Sequence, residues 1–216
     1  MSDWCVDGLS ALAEDVCYVL PPLAAGRPRR LLVYLHGIVP PVPDSPQKHT
    51  VEAAVLHASL RAGVAALVPR GRRGIGPSQA RDWWAWPTTS AAVAALAPSI
   101  VAGWVEAKKK LEALAGAPFD RTYLAGSSNG AYFLAALAVR GDLPTAAFPV
   151  DGFGAMSGGG ASGKVTSASP RPFYVGFGTF DDETKTSARS LITVLHSAHW
   201  PVRVAEHPFG HGASEV

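Results

Sequence analysis

A serine, an aspartate and a histidine stand in this chain in settings that could support acyl transfer. Ser128 is the centre of Gly126-Ser127-Ser128-Asn129-Gly130, a Gly-x-Ser-x-Gly pattern; Asp181 follows Gly178 by three residues, and His211 lies between Gly210 and Gly212. A serine hydroxyl is a weak nucleophile at its ordinary pKa and needs a base within hydrogen-bond reach. His211 would take the proton and pass it to the leaving group, while Asp181 would hold the histidine tautomer and stabilise the imidazolium. Asp182 competes with Asp181, and His207 with His211. The spacing from Gly178 favours Asp181, and the flanking glycines, which allow a tight turn and close approach, favour His211 over a surface histidine at a strand end. Taken alone, the serine motif also reads as a glycine-rich turn capping a helix, with Ser127 or Ser128 as the N-cap.

The elements around these residues decide between the readings. Residues 119–125 read as a turn and a short strand, and 131–139 as a buried helix. A serine on the sharp turn between them is thrust out of the sheet top, and the glycines answer a strained turn with close neighbours. Further strands are expected at 17–20, 31–35, 64–68, 153–157, 172–178 and 201–205, and helices at 49–62, 90–114 (with a bend at Pro98) and 187–196. Residues 31–35 and 64–68 are continuous apolar runs, the mark of strands buried on both faces. Strands alternating with helices predict one α/β domain over residues 1–216, a doubly wound, mostly parallel sheet with helices on both faces. Sites in such sheets gather at the C-terminal strand ends. There the chain places His36, Arg70, Ser128, Ser157, Asp181 with Asp182, and His207 with His211.

Composition sets the outer bounds. With 216 residues, 48% hydrophobic and 17% charged, the chain can bury a full core. A net charge of +2 implies no strong pull toward nucleic acid or a membrane surface. No apolar run approaches 18 residues, so no membrane span is expected. The N-terminus carries no signal-type pattern. Cys5 and Cys17 are the two cysteines; paired, they would staple the first segment to the first strand, and unpaired they are two thiols. The expected location is secreted or periplasmic if a leader was removed and they pair, and cytoplasmic otherwise.

Other patterns carry less. Residues 158–164, Gly-Gly-Gly-Ala-Ser-Gly-Lys, approach a phosphate-binding loop, but Val165 stands where a magnesium-binding hydroxyl belongs, and prolines follow. His196 and His199 are three apart on an expected helix with no third ligand near. Arg70, Arg72 and Arg73 read as scaffold ion pairs or a solvated face, with binding of a substrate carboxylate such as a peptide terminus as the alternative, and His36 reads as a structural histidine.

With Leu35-His36-Gly37, Gly126-Ser127-Ser128-Asn129-Gly130, Gly178-Thr179-Phe180-Asp181 and Gly210-His211-Gly212 in place, nearly the whole chain resembles an α/β-hydrolase. The segment Asp82-Trp83-Trp84-Ala85-Trp86-Pro87, with Tyr123-Leu124-Ala125-Gly126, is more narrowly similar to the polyhydroxybutyrate depolymerase/feruloyl esterase group, although that group's elbow usually reads Ser-Ala-Gly-Gly. The resemblance implies a compact α/β-hydrolase fold without a large lid. It implies a serine esterase using Ser128, His211 and Asp181 on a small-molecule or polymeric ester. Backbone N–H groups of Asn129 and Ile38 would form an oxyanion hole. Trp83, Trp84 and Trp86 read either as plain core or as substrate-site residues; three within four residues of a long loop cannot all face one interior, so at least one is expected to line an acyl or alcohol pocket. No cofactor, metal or nucleic-acid partner is implied, and oligomeric state is not legible. Five residues follow His211, so the helix common after this histidine in the family is expected to be short or absent. A serine peptidase on the same residues, or a binding protein on a retired hydrolase scaffold, are the alternatives.

Overall fold

The computed structural model describes residues 4–22, 26–42, 44–141, 143, 148–160, 165–166 and 169–211. Its strands are β1 (Ser10–Ala13), β2 (Val16–Val19), β3 (Arg30–Leu35), β4 (Ala65–Pro69), β5 (Arg121–Ser127), β6 (Gly152–Met156), β7 (Phe173–Gly178) and β8 (Val202–His207). The helices are α1 (Pro46–Ala62), α2 (Ser90–Ala115), α3 (Asn129–Arg140) and α4 (Lys185–Ser197). All eight strands join one sheet in the order β1-β2-β4-β3-β5-β6-β7-β8. The β1–β2 and β2–β4 pairs are antiparallel, and the pairs from β4 through β3 to β8 are parallel. Helical crossovers bury both sheet faces, which is why β4 is buried along its whole length.

Alternation along the strands divides the core. Leu31, Val33 and Leu35 of β3 join α2, α3 and α4 in one apolar cluster, whereas Tyr34, Ala66 and Val68 pack with α1 and the N-terminal segment in another. Helices therefore cover both faces. The register brings the strand ends level: Leu35 pairs with Gly126, Ser127 with Met156, and Gly178 with His207. The residues leaving β3, β5, β6, β7 and β8 consequently emerge along one edge.

Several expectations need correction. β1 was not anticipated: Ser-Ala-Leu-Ala has weak strand propensity and forms as one arm of an antiparallel hairpin with β2. α1 begins at Pro46, three residues before the expected start, because proline at the first helical turn loses no hydrogen bond. α2 ends at Ala115, one residue beyond the expected end, with Pro98 inside it and the Thr89 hydroxyl accepting from the Ala92 N–H at 3.2 Å. By length and composition alone α2 is long and apolar enough to cross a membrane, a test that the core helix of a globular fold also passes. In this fold it lays Val93, Ala97, Ile100, Val101, Trp104 and Leu111 in the core. α4 ends at Ser197, so His199, at φ 59°, lies beyond the helix that was expected to carry it with His196. Residues 161–164 of the phosphate-loop-like pattern, Gly212 and the residues after it lie outside the described residues. Cys5 and Cys17 form a disulfide that ties the N-terminal segment to β2.

Candidate active site

The turn from β5 into α3 presents Ser128. Its backbone sits at φ 49° and ψ −120°, a conformation that side chains rarely adopt. Close packing holds it there. A Cβ at Gly126 would stand 2.8 Å from the Leu35 carbonyl oxygen, and one at Gly130 would collide with the backbone of Leu35 and His36. The Ser128 N–H donates to the Met156 carbonyl at 2.9 Å, fixing the turn to the end of β6.

His211 and Asp181 meet this serine. The Ser128 Oγ lies 3.0 Å from His211 Nε2, and His211 Nδ1 lies 3.1 Å from Asp181 Oδ2. Asp181 is 1% exposed. Burial works against its charge, but hydrogen bonds from the Thr184 hydroxyl and the Thr184 N–H, and the contact with His211, outweigh burial and hold the carboxyl below its ordinary range. The rivals go elsewhere. Asp182 is exposed and pairs with Lys185 at 2.8 Å, and His207 turns to the Tyr174 hydroxyl at 3.2 Å.

The loop after β3 lies directly against the serine. A Cβ on Gly37 would stand 3.2 Å from the Ser128 Cβ, and the half-buried Ile38 follows. Both sides of this loop are anchored. The Gly71 N–H donates to His36 Nε2 at 2.9 Å, and Val39 and Trp84 exchange backbone hydrogen bonds of 3.0 and 2.8 Å. Because His36 Nε2 accepts, Nδ1 carries the proton and donates to the Gly37 carbonyl. Burial holds this imidazole neutral, with its pKa pushed down to about 4. Across the gap, Asn129 opens α3, where the first N–H groups of a helix have no intrahelical acceptor.

The three substrate-site candidates divide: Trp86 goes to the core, and Trp83 and Trp84 stay half-buried on the loop. Trp86 is 1% exposed; its Nε1 donates to the His36 carbonyl at 2.9 Å, and its ring stacks on Phe133 with centroids 5.8 Å apart. It is a buried brace, not a pocket wall. Trp84 is half-buried beneath the Arg70 guanidinium, 4.2 Å from its ring centroid, and meets Trp4 edge-on at 5.8 Å. Trp83 is half-buried on the same loop.

Asn129 is the residue whose side-chain function the sequence reading missed. Its Oδ1 accepts from the Trp86 N–H at 2.6 Å, and its Nδ2 donates to the Trp86 carbonyl at 3.2 Å. Its departure from the Ser-Ala-Gly-Gly elbow was the available signal. The arginines serve the scaffold: Arg70 pairs with Asp15, the Arg72 guanidinium donates to the Ser99 hydroxyl at 2.9 Å, and Arg73 Nε to the Asp82 carbonyl at 2.7 Å.

No protein-family model matches the chain, and no curated protein is similar to it in sequence. Solved structures are similar in fold. Esterase PE8 is 20% identical, with a TM-score of 0.61 over 91% of this chain and 90% of that one. A carboxylesterase from Bacillus cereus is 14% identical, with a TM-score of 0.64 over 96% and 89%. A carboxylesterase from Mesorhizobium loti is 16% identical, with a TM-score of 0.63 over 92% and 88%. With its eight-stranded, mostly parallel sheet, the chain has the α/β-hydrolase fold.

Proposed function

We propose that this protein is a serine hydrolase that cleaves carboxylic esters through an acyl-enzyme. The observation that carries the reading is the unbroken contact chain from Ser128 Oγ through His211 to the buried Asp181, with links of 3.0 and 3.1 Å. In the proposed reaction the Ser128 hydroxyl donates its proton to His211 Nε2 as Oγ attacks the ester carbon. His211 then protonates the departing alcohol. Water, activated by the same imidazole, hydrolyses the acyl-serine. Asp181 accepts from His211 Nδ1–H, keeping Nε2 free as the base. The N–H groups of Asn129 and Ile38 receive the oxyanion; the anchoring of 36–39 on both flanks supports a preformed hole, in which one donor is worth roughly 3 kcal/mol.

Names carried by similar folds, esterase and carboxylesterase, agree with this chemistry. The finer likeness to the polyhydroxybutyrate depolymerase/feruloyl esterase group rests on residues 82–87 and 123–126, and the compact chain without a large lid insertion favours soluble or surface-accessible esters. Trp83 and Trp84, beside the loop that carries Ile38, remain proposed substrate neighbours. The peptidase alternative needs a free cation for a peptide terminus, and the engagement of Arg70, Arg72 and Arg73 weighs against it. The Cys5–Cys17 bond fits an oxidising compartment.

The test is turnover of p-nitrophenyl acetate and butyrate, and of peptide anilides, by wild type and Ser128→Ala. Ester hydrolysis lost in Ser128→Ala is the expected result. Anilide cleavage without ester cleavage would move the assignment to a peptidase, and no turnover of either would remove it.

A further inference from the structure

We infer that Tyr174, His207 and Phe209 form a strut that positions His211; the inference rests on the proposed role of His211 as the base. His211 stands four residues beyond the end of β8 and its side chain is 36% exposed, so the path of the segment that carries it decides where the ring stands. The segment leading to it is pinned through its backbone at two points: the Thr179 N–H donates to the His207 carbonyl at 2.7 Å, and the Phe180 N–H to the Phe209 carbonyl at 3.1 Å. Side chains supply the rest. The His207 ring lies flat on Phe209, with centroids 5.3 Å apart and planes 10° from parallel, and its Nε2 is 3.2 Å from the Tyr174 hydroxyl.

Tyr174 reaches His207 by an unusual route. In the sheet Tyr174 pairs with Arg203, whereas His207 pairs with Gly178, four residues further along β7. The phenol spans the interval by lying across Gly176, where a Cβ would stand 2.9 Å from the ring carbon Cε1 and from the hydroxyl oxygen. Tyr174 and Gly176 thus work as lever and slot. A tyrosine hydroxyl keeps its proton at neutral pH and can donate to His207 Nε2. The chain of contacts then runs from Tyr174 to His207 to Phe209, and two residues later to His211. A displacement of the imidazole of about 1 Å can cost on the order of a hundredfold in rate, so a modest brace has kinetic weight.

The test compares Tyr174→Phe, His207→Ala, His207→Gln and the double variant Tyr174→Phe/His207→Ala. The measurements are kcat and KM for p-nitrophenyl acetate, and amide exchange at Thr179 and Phe180. Tyr174→Phe is expected to lower kcat about three- to tenfold, the rate equivalent of one hydrogen bond, with KM nearly unchanged. His207→Ala should lose more, the double variant no more than His207→Ala, and His207→Gln, which keeps an acceptor for the phenol, should recover part of kcat. Exchange at Thr179 and Phe180 should quicken in Tyr174→Phe. An unchanged kcat in Tyr174→Phe and His207→Ala, or losses that multiply in the double variant, would overturn the strut. If the wild type hydrolyses no ester, the proposed function fails, and exchange alone decides: quickened exchange supports the strut, and unchanged exchange overturns it.

Discussion

The side-chain amide of Asn129 grips the main chain of Trp86 from both sides, accepting from its N–H at 2.6 Å and donating to its carbonyl at 3.2 Å. Asn129 is the first residue after Ser128, and the Trp86 indole in turn holds the His36 carbonyl at 2.9 Å. One amide therefore couples the serine turn to the loop that carries Ile38. All three partners are buried, so the bonds exchange with no solvent and their loss leaves polar groups unpaired.

Asn129→Ala would strand the N–H and carbonyl of Trp86 in the core, at a cost of about 2–3 kcal/mol. Asn129→Asp keeps the acceptor but turns a second oxygen toward the Trp86 carbonyl, so it should not restore stability. Urea unfolding of both variants checks this. An Asn129→Asp midpoint equal to wild type would mean that the Nδ2 contact carries no energy.

The two neighbouring aspartates should separate cleanly. Asp181→Asn is expected to lower kcat by roughly 10⁴-fold, as loss of the tautomer-fixing carboxylate does in serine hydrolases. Asp182→Asn removes only an exposed ion pair with Lys185, worth about 0–1 kcal/mol, and should leave kcat near wild type. Steady-state kinetics on p-nitrophenyl acetate decides, and equal losses in the two variants would break the assignment.

Two buried groups give stability opposite pH slopes. His36 has its pKa lowered by burial from 6.5 to about 4, so its contribution is full above 6.5 and is lost as pH falls to about 4. That shift corresponds to roughly 3 kcal/mol. Glu52 has its pKa raised by burial from 4.5 to about 7, despite the Lys48 ammonium at 3.2 Å, so its contribution is full below 4.5 and is lost as pH rises to about 7. Between about 4.5 and 6.5 the slopes cancel, and wild-type stability should be nearly flat. Glu52→Gln removes one slope, so its stability should climb with pH across that window. Urea midpoints measured through the window check the prediction; a flat profile in Glu52→Gln would contradict it.

Reducing the Cys5–Cys17 bond, or replacing both residues with serine, should cost about 3 kcal/mol, the expectation for a loop of this length. Thermal unfolding with and without dithiothreitol measures it. An unchanged midpoint would show that the reduced N-terminal segment stays docked through Trp4, Val6 and Leu9 alone.

The sheet was legible because residues 31–35 and 64–68 are short continuous apolar runs, because glycine or proline bounds 64–68 and 172–178, and because helices separate the strands. The chain order of Ser128, Asp181 and His211 was legible because each follows a strand and glycines mark the tight turns. What stayed hidden depends on contacts between distant segments. The Ser10–Ala13 strand exists through its partner rather than its propensity. Trp83, Trp84 and Trp86 look alike in sequence, and nothing local says that Trp86 stacks on Phe133 while Trp84 meets Arg70. The side-chain partner of Asn129 lies 43 residues away, beyond the reach of any spacing rule.

The most direct measurement is covalent labelling by a fluorophosphonate, followed by peptide mapping of wild type and His211→Ala. One adduct per chain is expected, on Ser128, formed at a rate that collapses in His211→Ala. No adduct in wild type, or an adduct on Ser127 or Ser157 instead, would contradict it.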